Sequence, residues 1–243
     1  MCFQVVFIRS IVSLAAFAAL GSLHAASFQT RYNFEGPWGV RALAQGNDNA
    51  FYATTGQGGD YGYGSVIRIS ATGKISLLVS FANTNGANPQ AGLALGDEGV
   101  FYGTTAAGGA YGKGTVFHVT TNGVLTLLVS FSGKNGPCFG ERPGSLARGA
   151  DGAFYGTTYL GGFADAGTIF RITSGGTFAT VLGFKGGTNG LFPTGGVTFG
   201  NDTTLYGVCA SGGDYGYGTV YRLTPDGTLT TLYSFMNHDD GSQ

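Results

Sequence analysis

Tyrosine recurs at one position of a glycine-rich segment that occurs several times in this sequence. Tyr61, Tyr111 and Tyr215 each lie two residues after a Gly-Gly pair, and Asp60 and Asp214 directly precede two of them. Rigid aromatic faces beside carboxylates are suited to binding a sugar, although such tyrosines are equally suited to packing between neighbouring sheets. We therefore predict that Tyr61, Tyr111, Tyr215, Asp60 and Asp214 bind a ligand, with packing as the alternative.

The sequence offers few residues for nucleophilic or metal chemistry. Beyond the first 26 residues it contains two histidines, His118 and His238, at unrelated positions. They form no Ser/His/Asp set and no metal-ligand spacing. The paired glycines precede strand-forming residues, whereas a phosphate-binding loop requires a helix N-terminus after the glycines. We predict no catalytic residue, no metal site and no cofactor.

Other polar residues at recurring positions have competing structural explanations. Three arginines share one position and are expected to make a repeated contact at the edge of a sheet: Arg68, Arg171 and Arg222. Aspartates recur in one turn, where bonding to their own backbone explains them with fewer assumptions than calcium binding does. They are Asp48, Asp97, Asp151 and Asp202. Cys138 and Cys209 permit a disulfide in an exported chain, with two unpaired thiols as the alternative.

These candidate residues belong to a unit that recurs along the chain. Phe51-Tyr52, Phe101-Tyr102, Phe154-Tyr155 and Leu205-Tyr206 open four copies, at spacings of 50, 53 and 51 residues. A period of about 50 residues is in the range of β-propeller blades. The 46 glycines fall in register with this period, which indicates many short strands joined by glycine turns.

Each unit contains four segments with the composition of β-strands. In the second copy the last three cover residues 101–105, 115–120 and 124–131, and Asn122-Gly123 is typical of a tight hairpin turn. The third and fourth segments are apolar on both faces, which predicts sheets covered on both sides. We predict an all-β, propeller-like array of about four four-stranded blades, forming an incomplete ring. The blades are expected near residues 38–81, 89–131, 143–184 and 193–235.

The N-terminal 26 residues have the pattern of a secretory signal peptide. Arg9 precedes an apolar run over residues 11–20, and small residues follow. An N-terminal membrane anchor is the alternative, but the run is short of the roughly 20 residues that span a bilayer. We expect a secreted or cell-surface protein that is not inserted in the membrane after removal of residues 1–26. The net charge of −1 predicts no nucleic-acid partner.

The two ends of the repeat region do not match each other. Residues 28–34 resemble only the fourth strand of a unit, and the sequence after residue 235 stops where another first strand is expected. We expect that the natural chain continues beyond Gln243 with at least one more repeat. The alternative is a strand 28–34 left over beside four complete blades.

The repeated motif resembles a known family. Copies of Phe/Leu-Tyr-Gly-Thr-Thr, then Gly-Gly, then Gly-Thr-Val/Ile and a closing Leu-x-Ser-Phe such as residues 128–131 are similar to the tandem repeat of bacterial choice-of-anchor GloVer-containing proteins. The resemblance covers residues 28–243. It implies an exported, surface-displayed or anchored repeat protein with a propeller-like fold, and it supplies no catalytic residues. The chain departs from the family in lacking a C-terminal anchor.

Two functional classes are compatible with the sequence. The first is a non-enzymatic exported module that binds an extracellular glycan or protein. The second is a propeller-type carbohydrate-active enzyme, a hydrolase or lyase, which requires acidic or histidine residues converging from the first strands. First strands such as Pro143-Gly144-Ser145-Leu146 contain none, so we expect a binding protein and not an enzyme.

Overall fold

The computed structural model describes residues 39–236, which form sixteen β-strands in four antiparallel sheets. The first sheet contains β1 (Ala44–Gln45), β2 (Phe51–Thr55), β3 (Ser65–Ile69) and β4 (Ile75–Ser80). The second contains β5 (Ala94–Leu95), β6 (Phe101–Thr105), β7 (Thr115–Val119) and β8 (Leu125–Ser130). The third contains β9 (Glu141–Arg148), β10 (Phe154–Leu160), β11 (Thr168–Ile172) and β12 (Phe178–Gly183). The fourth contains β13 (Leu191–Phe199), β14 (Leu205–Ser211), β15 (Thr219–Leu223) and β16 (Leu229–Ser234).

The strands of each sheet are hydrogen-bonded in the order in which they occur in the chain. Two short 3-10 turns, Asp97–Gly99 and Gly187–Asn189, are the helical segments of the described residues. Each pairing of third and fourth strands shifts register at the same repeat position, as between Val116 and Phe117. Such a bulge increases the local twist of a sheet. The predicted all-β, propeller-like array is confirmed, and the described sheets do not close into a ring.

The hydrophobic core lies between consecutive sheets. One buried cluster joins the first and second sheets, a second joins the second and third, and a third joins the third and fourth. In each of the first three sheets a phenylalanine directly follows the fourth strand. Its ring packs edge-to-face on an aromatic ring in the third strand of the next sheet. The pairs are Phe81–Phe117, Phe131–Phe170 and Phe184–Tyr221, at 5.0, 5.2 and 5.2 Å. This contact accounts for the phenylalanine that closes each motif.

The Thr-Thr pair of the second strand also has a structural role. In the second sheet Thr104 Oγ1 donates to the Gly144 carbonyl of the next sheet at 2.8 Å, and the hydroxyls of Thr105 and Thr115 lie 2.7 Å apart. The first threonine therefore ties one sheet to the first strand of the next, and the second ties two strands of its own sheet. Because both hydroxyls are buried, each needs such a partner.

The first strands of successive sheets contact one another, β1 with β5, β5 with β9 and β9 with β13. The loops between second and third strands lie on the same side of the molecule as the connections between sheets, which we call the loop face. The backbone N–H of Asn88 donates to the Tyr63 carbonyl across this face at 2.8 Å. Gly64, which ends the first of these loops, has φ +98°, and an added Cβ would lie 2.7 Å from Cδ of Pro89 in the next sheet. Glycine is therefore required there by both φ and close approach.

Several sequence-based predictions fall on residues outside the described part. These are the signal peptide over residues 1–26, the strand over 28–34 and the continuation of the natural chain beyond Gln243. Within residues 39–236 the model contains no helix that is long and apolar enough to cross a membrane.

Candidate functional site

The three predicted tyrosines lie at the tips of loops on the loop face. Tyr61, Tyr111 and Tyr215 are 63%, 56% and 56% exposed. They belong to the first, second and fourth sheets, so the fold presents them as separate copies of one surface feature. Such exposure suits contact with a ligand, whereas side chains packed between sheets are usually buried.

A serine at the end of the fourth strand holds each of these loop tips. The Asp60 backbone N–H donates to Ser80 Oγ at 3.0 Å, and the Asp214 N–H donates to Ser234 Oγ at 3.3 Å. Ser80 Oγ also donates to the Asp60 carboxylate at 3.0 Å. Asp60 is therefore partly committed to its own loop.

Two of the five predicted residues, Asp214 and Tyr215, line one of the larger cavities. This cavity, of about 550 Å³, runs along β16 and includes Thr188, Asn189 and Tyr233. Tyr61 and Tyr111 stand on loop tips and do not line this cavity. The predicted residues thus share a face of the molecule and do not converge on a single pocket.

A more enclosed site lies where the first strands approach one another. This inner pocket, of about 290 Å³, is formed by the second, third and fourth sheets at the loop face. Its lining comprises Gln90, Ala91, Ala106, Arg142, Pro143, Gly144, Ser145, Tyr159, Pro193, Thr194 and Gly195. Convergence of several polar groups from different sheets on one concavity is typical of small-molecule sites.

Two lining residues of the inner pocket, Arg142 and Tyr159, contact each other, and Tyr159 also contacts Phe192 of β13. The Arg142 guanidinium lies 5.3 Å from the centroid of the Tyr159 ring, within the range of a cation–π contact. The Tyr159 and Phe192 rings stack with centroids 5.2 Å apart and 22° between planes. Tyr159 therefore contacts both a guanidinium and an aromatic ring.

This stack breaks the repeat. The position of Tyr159 is occupied by Gly56, Ala106 and Ala210 in the other three sheets. Asn88, Arg142 and Phe192 occupy one repeat position, directly before a proline, in the second, third and fourth sheets. All three have positive φ, which is +53° for Asn88, +55° for Arg142 and +59° for Phe192. The positive-φ geometry is thus common to these three positions, while a large side chain at the position of Tyr159 occurs in the third repeat alone.

One buried hydroxyl next to the pocket has no partner. Thr157 is 1% exposed, and its Oγ1 makes no hydrogen bond, although its equivalents Thr54 and Thr104 each donate to a carbonyl of the next sheet. An added Cβ on Gly144 would lie 3.1 Å from this oxygen. Thr157 is therefore an unsatisfied polar group directly beneath a lining residue of the inner pocket.

In the first and third sheets the repeated aspartate and arginine lie on the opposite face and bind each other, whereas Asp202 of the fourth sheet accepts from Thr204 and forms no ion pair with Arg222. Asp48 Oδ2 accepts from Arg68 at 2.7 Å and from the Tyr52 hydroxyl at 3.0 Å, and the third sheet repeats this triad. The hydrogen bond from Arg68 holds the pKa of Asp48 below its usual value. Asp48 Oδ1 also accepts from the Ala50 N–H at 3.2 Å, as predicted for a turn aspartate.

In the second sheet the turn aspartate forms its ion pair with an arginine of the neighbouring sheet. His118 replaces the arginine there, and Asp97 pairs instead with Arg148 of the third sheet at 2.5 Å. A cavity of about 350 Å³ between the third and fourth sheets is lined by the Asp151–Arg171 pair, whose charges are already matched at 2.7 Å. Arg142, in contrast, has no carboxylate within salt-bridge distance among the described residues.

The cysteines are unpaired thiols. Cys138 is half-buried and Cys209 is buried, in clusters that join different pairs of sheets. Burial raises the pKa of Cys209 to about 12, so the thiol is not a nucleophile at neutral pH. Within residues 39–236 no group of three or more His, Cys, Asp and Glu side chains is arranged to hold a metal ion.

Sequence reasoning missed Arg142, Tyr159 and Phe192. The signal that identifies them is a departure from the repeat, in which small residues give way to a large aromatic side chain at position 159. Alignment of the four copies shows that departure. It does not show that residues 142, 159 and 192 meet.

Solved structures with a similar fold include enzymes. A virginiamycin B lyase from Staphylococcus aureus matches with a TM-score of 0.59 and 20% identity over 86% of this chain and 60% of the lyase. A gluconolactonase from Xanthomonas campestris matches with a TM-score of 0.53 and 16% identity over 79% of this chain and 61% of that protein. A Bacteroides thetaiotaomicron protein of unknown function matches with a TM-score of 0.50 and 16% identity over 81% and 48% of the two chains. This chain therefore spans about three fifths of the lyase and of the gluconolactonase.

These likenesses show the fold and correct one expectation. The prediction that the chain is not an enzyme is wrong, because proteins that share its fold include a lyase and a gluconolactonase. The reasoning failed because it looked for carboxylates and histidines in the first strands, and that test does not cover the range of chemistry that propellers support.

The sequence itself identifies the family. No protein with curated annotation is significantly similar to it. The family model described as the Gloeobacter/Verrucomicrobia repeat matches residues 37–243, which confirms the resemblance carried by the repeated motif. The chain belongs to the Gloeobacter/Verrucomicrobia repeat family.

Proposed function

We propose that this chain is an exported propeller protein that binds an extracellular glycan on its loop face. The observation that carries the proposal is the exposure of Tyr61, Tyr111 and Tyr215 at equivalent loop tips. The N-terminal signal-like segment supports export. The glycine-rich loops allow a partner to approach the backbone closely.

The arrangement favours a repetitive ligand. Three copies of one aromatic contact, each on a separate sheet, match a polymer that presents the same sugar unit many times. Each contact alone is weak, and their combination raises the overall affinity through effective concentration. Tyrosine suits this role, since its ring covers the apolar face of a sugar while its hydroxyl stays hydrated.

The test is a glycan-array screen of the full-length chain, followed by the variants Tyr61→Ala and Tyr111→Ala and their combination. We expect each single variant to weaken binding of the best polymeric ligand several-fold and the double variant to weaken it further. Val124→Ala is the matched control, because Val124 is an exposed apolar residue on the opposite face.

Folding is measured for every variant, because lost binding is meaningful only in a folded protein. We expect the free energy of unfolding to change by less than about 0.5 kcal/mol, as is usual for exposed positions. Unchanged binding by a folded double variant would refute the loop-tip proposal. A loss of cooperative unfolding would show that the tyrosines are packing residues after all.

A second candidate is a carbohydrate-active enzyme that works in the inner pocket. The observation that favours it is the position of Arg142 and Tyr159 in an enclosed site of a fold that a lyase and a gluconolactonase share. Incubation of the protein with polysaccharides and sugar lactones, with product analysis by mass spectrometry, tests it. Product that forms with the native protein and not with Arg142→Asn would support the enzyme.

A further inference from the structure

The geometry points to the inner pocket as a second and separate binding site, specific for a carboxylated sugar ring such as a hexuronate. This site differs from the tyrosine loop tips in residues and in ligand size. It requires only that the three-sheet junction around Arg142 is formed. The inference therefore does not depend on glycan binding by Tyr61, Tyr111 and Tyr215.

The lining of the inner pocket carries a positive charge that no lining carboxylate balances. The lining residues of the inner pocket include one cation, Arg142, and no aspartate or glutamate. Glu141, the acidic neighbour in sequence, is paired with Lys113 at 2.7 Å and is not available to Arg142. An arginine without a carboxylate partner at the rim of an enclosed site favours an anionic ligand group, which its planar guanidinium can bind through two hydrogen bonds.

Positioning is the second argument. Arg142 is exposed, yet its guanidinium lies over the Tyr159 ring, and the Phe192 ring stacks on the same tyrosine. The stack limits the conformations of a side chain that otherwise has many rotamers, and such pre-organisation lowers the entropic cost of binding. Tyr159 and Phe192 act here as positioning residues for Arg142.

The chemistry of the remaining wall is the third argument. Gln90, Ser145 and Thr194 provide amide and hydroxyl groups, and Pro143 and Pro193 provide apolar surface. This combination suits a ring with hydroxyls at its edge and C–H groups on its face. The volume of about 290 Å³ lies at the lower end of the roughly 300–1,000 Å³ typical of ligand pockets, which suits one small ring.

Departure from the repeat is the fourth argument. The other junctions have Gly56 or Ala106 where this one has Tyr159, so the stack is not needed to build a blade. Thr157 adds an independent sign, because its buried Oγ1 lacks the partner that Thr54 and Thr104 have. This hydroxyl lies beneath Gly144 and has almost no accessible surface, so it marks a second local departure from the repeat at this junction and does not itself touch a ligand.

The experiment is a titration of the full-length chain with D-galacturonate, followed by isothermal calorimetry or protein NMR. D-galactose serves as the neutral counterpart of the same ring, and acetate serves as a carboxylate without a ring. We expect galacturonate to bind at least about tenfold more tightly than either, because charge-assisted hydrogen bonds add to contacts with the ring.

The repeats supply the test variants. Arg142→Asn copies Asn88 of the second sheet, and asparagine tolerates positive φ. Tyr159→Ala copies Ala106 and Ala210. We expect Arg142→Asn to weaken galacturonate binding about tenfold or more and to leave galactose binding unchanged, and Tyr159→Ala to weaken galacturonate binding by a smaller factor. Lys74→Gln, which removes an exposed cation on the opposite face, is the charge control and is expected to have no effect.

Each result supports or overturns the inference. Failure of the native chain to bind galacturonate at tens of millimolar would overturn it, as would equal binding by native protein and Arg142→Asn. Equal affinities for acetate and galacturonate would overturn the sugar specificity. The tyrosine variants distinguish the two proposals, because Tyr61→Ala with Tyr111→Ala is expected to bind galacturonate normally even where it loses a polymeric glycan.

Discussion

Replacement of Cys209 by threonine is expected to stabilise the protein by about 1 kcal/mol. In three sheets the second and third strands are joined by a buried hydroxyl pair, with oxygens 2.7, 2.7 and 2.8 Å apart. In the fourth sheet Cys209 faces Thr219, so the buried Oγ1 of Thr219 has a thiol, and no oxygen or nitrogen, beside it as a hydrogen-bond partner. A thiol is a weak partner, so the hydroxyl of Thr219 lacks most of the energy that its equivalents gain.

The magnitude follows from the cost of burying a polar group without a bond. An unsatisfied buried group costs about 1–3 kcal/mol, and a buried hydrogen bond contributes about 0.5–1.5 kcal/mol net. The extra methyl of threonine also fits. In the second sheet the methyl of Thr105 lies against Gly86, so close that a Cβ added to Gly86 would be 2.6 Å from Thr105 Cγ2. Gly190 lies at the same place over Cys209, so a threonine methyl at position 209 has the same space.

Urea unfolding of the native and Cys209→Thr proteins measures this change. A gain of about 1 kcal/mol raises the midpoint of thermal unfolding by about 2–4 °C in a domain of this size. Cys209→Val is the control, because it has the shape of threonine without a hydroxyl, and it is expected to give no gain. Thr105→Cys is expected to destabilise the second sheet by a similar amount. A Cys209→Thr protein that is no more stable than Cys209→Val would refute the reasoning.

Three further changes test other parts of the structure. The arginine partner lowers the pKa of Asp48, so the Asp48 carboxylate stabilises the fold above its unfolded pKa near 3.8. This contribution is lost as pH falls through the folded pKa. Asp48→Asn is therefore expected to reduce the loss of stability seen on titration from pH 5 to pH 3. Gly64→Ala is expected to lower the free energy of unfolding in urea by more than about 2 kcal/mol, since its Cβ would lie 2.4 Å from a backbone oxygen. Gly62 has a similar φ of +78° but open space around it, so Gly62→Ala is expected to cost about 1 kcal/mol. Because the pKa of Cys209 is about 12, its thiol is expected to react with a thiol reagent at pH 8 only when the protein unfolds. The half-buried Cys138 is expected to react earlier. Fast labelling of Cys209 in the native protein would contradict its burial.

The sequence alone determined the repeat and the strands. The recurrence of Phe/Leu-Tyr at spacings near 50 residues and the Asn-Gly and Asp-Gly turns are local signals, and local signals fix strands and hairpins because they act within a few residues. Apolar residues on both faces of the third and fourth strands also indicated that the sheets are covered on both sides. These features were enough for the fold class and for the family.

The tertiary structure decided which side chains meet. Phe81 and Phe117 are 36 positions apart in the chain, and only the stacking of one sheet on the next brings their rings to 5.0 Å. Arg142, Tyr159 and Phe192 likewise come from β9, β10 and β13, and their contact depends on how the third and fourth sheets are turned relative to each other. That rotation results from bulges, twist and interfacial packing summed over whole sheets, and no short segment of sequence encodes it.

The same reason explains the difference between the two candidate sites. The tyrosines at positions 61, 111 and 215 lie on loop tips, so their repeated spacing in the sequence was enough to select them as candidates. The inner pocket is defined by contacts between sheets, and its unpaired charge on Arg142 and unsatisfied hydroxyl on Thr157 exist only when three sheets are in place. A repeat sequence specifies each blade locally, whereas the chemistry at the junction of blades depends on long-range packing.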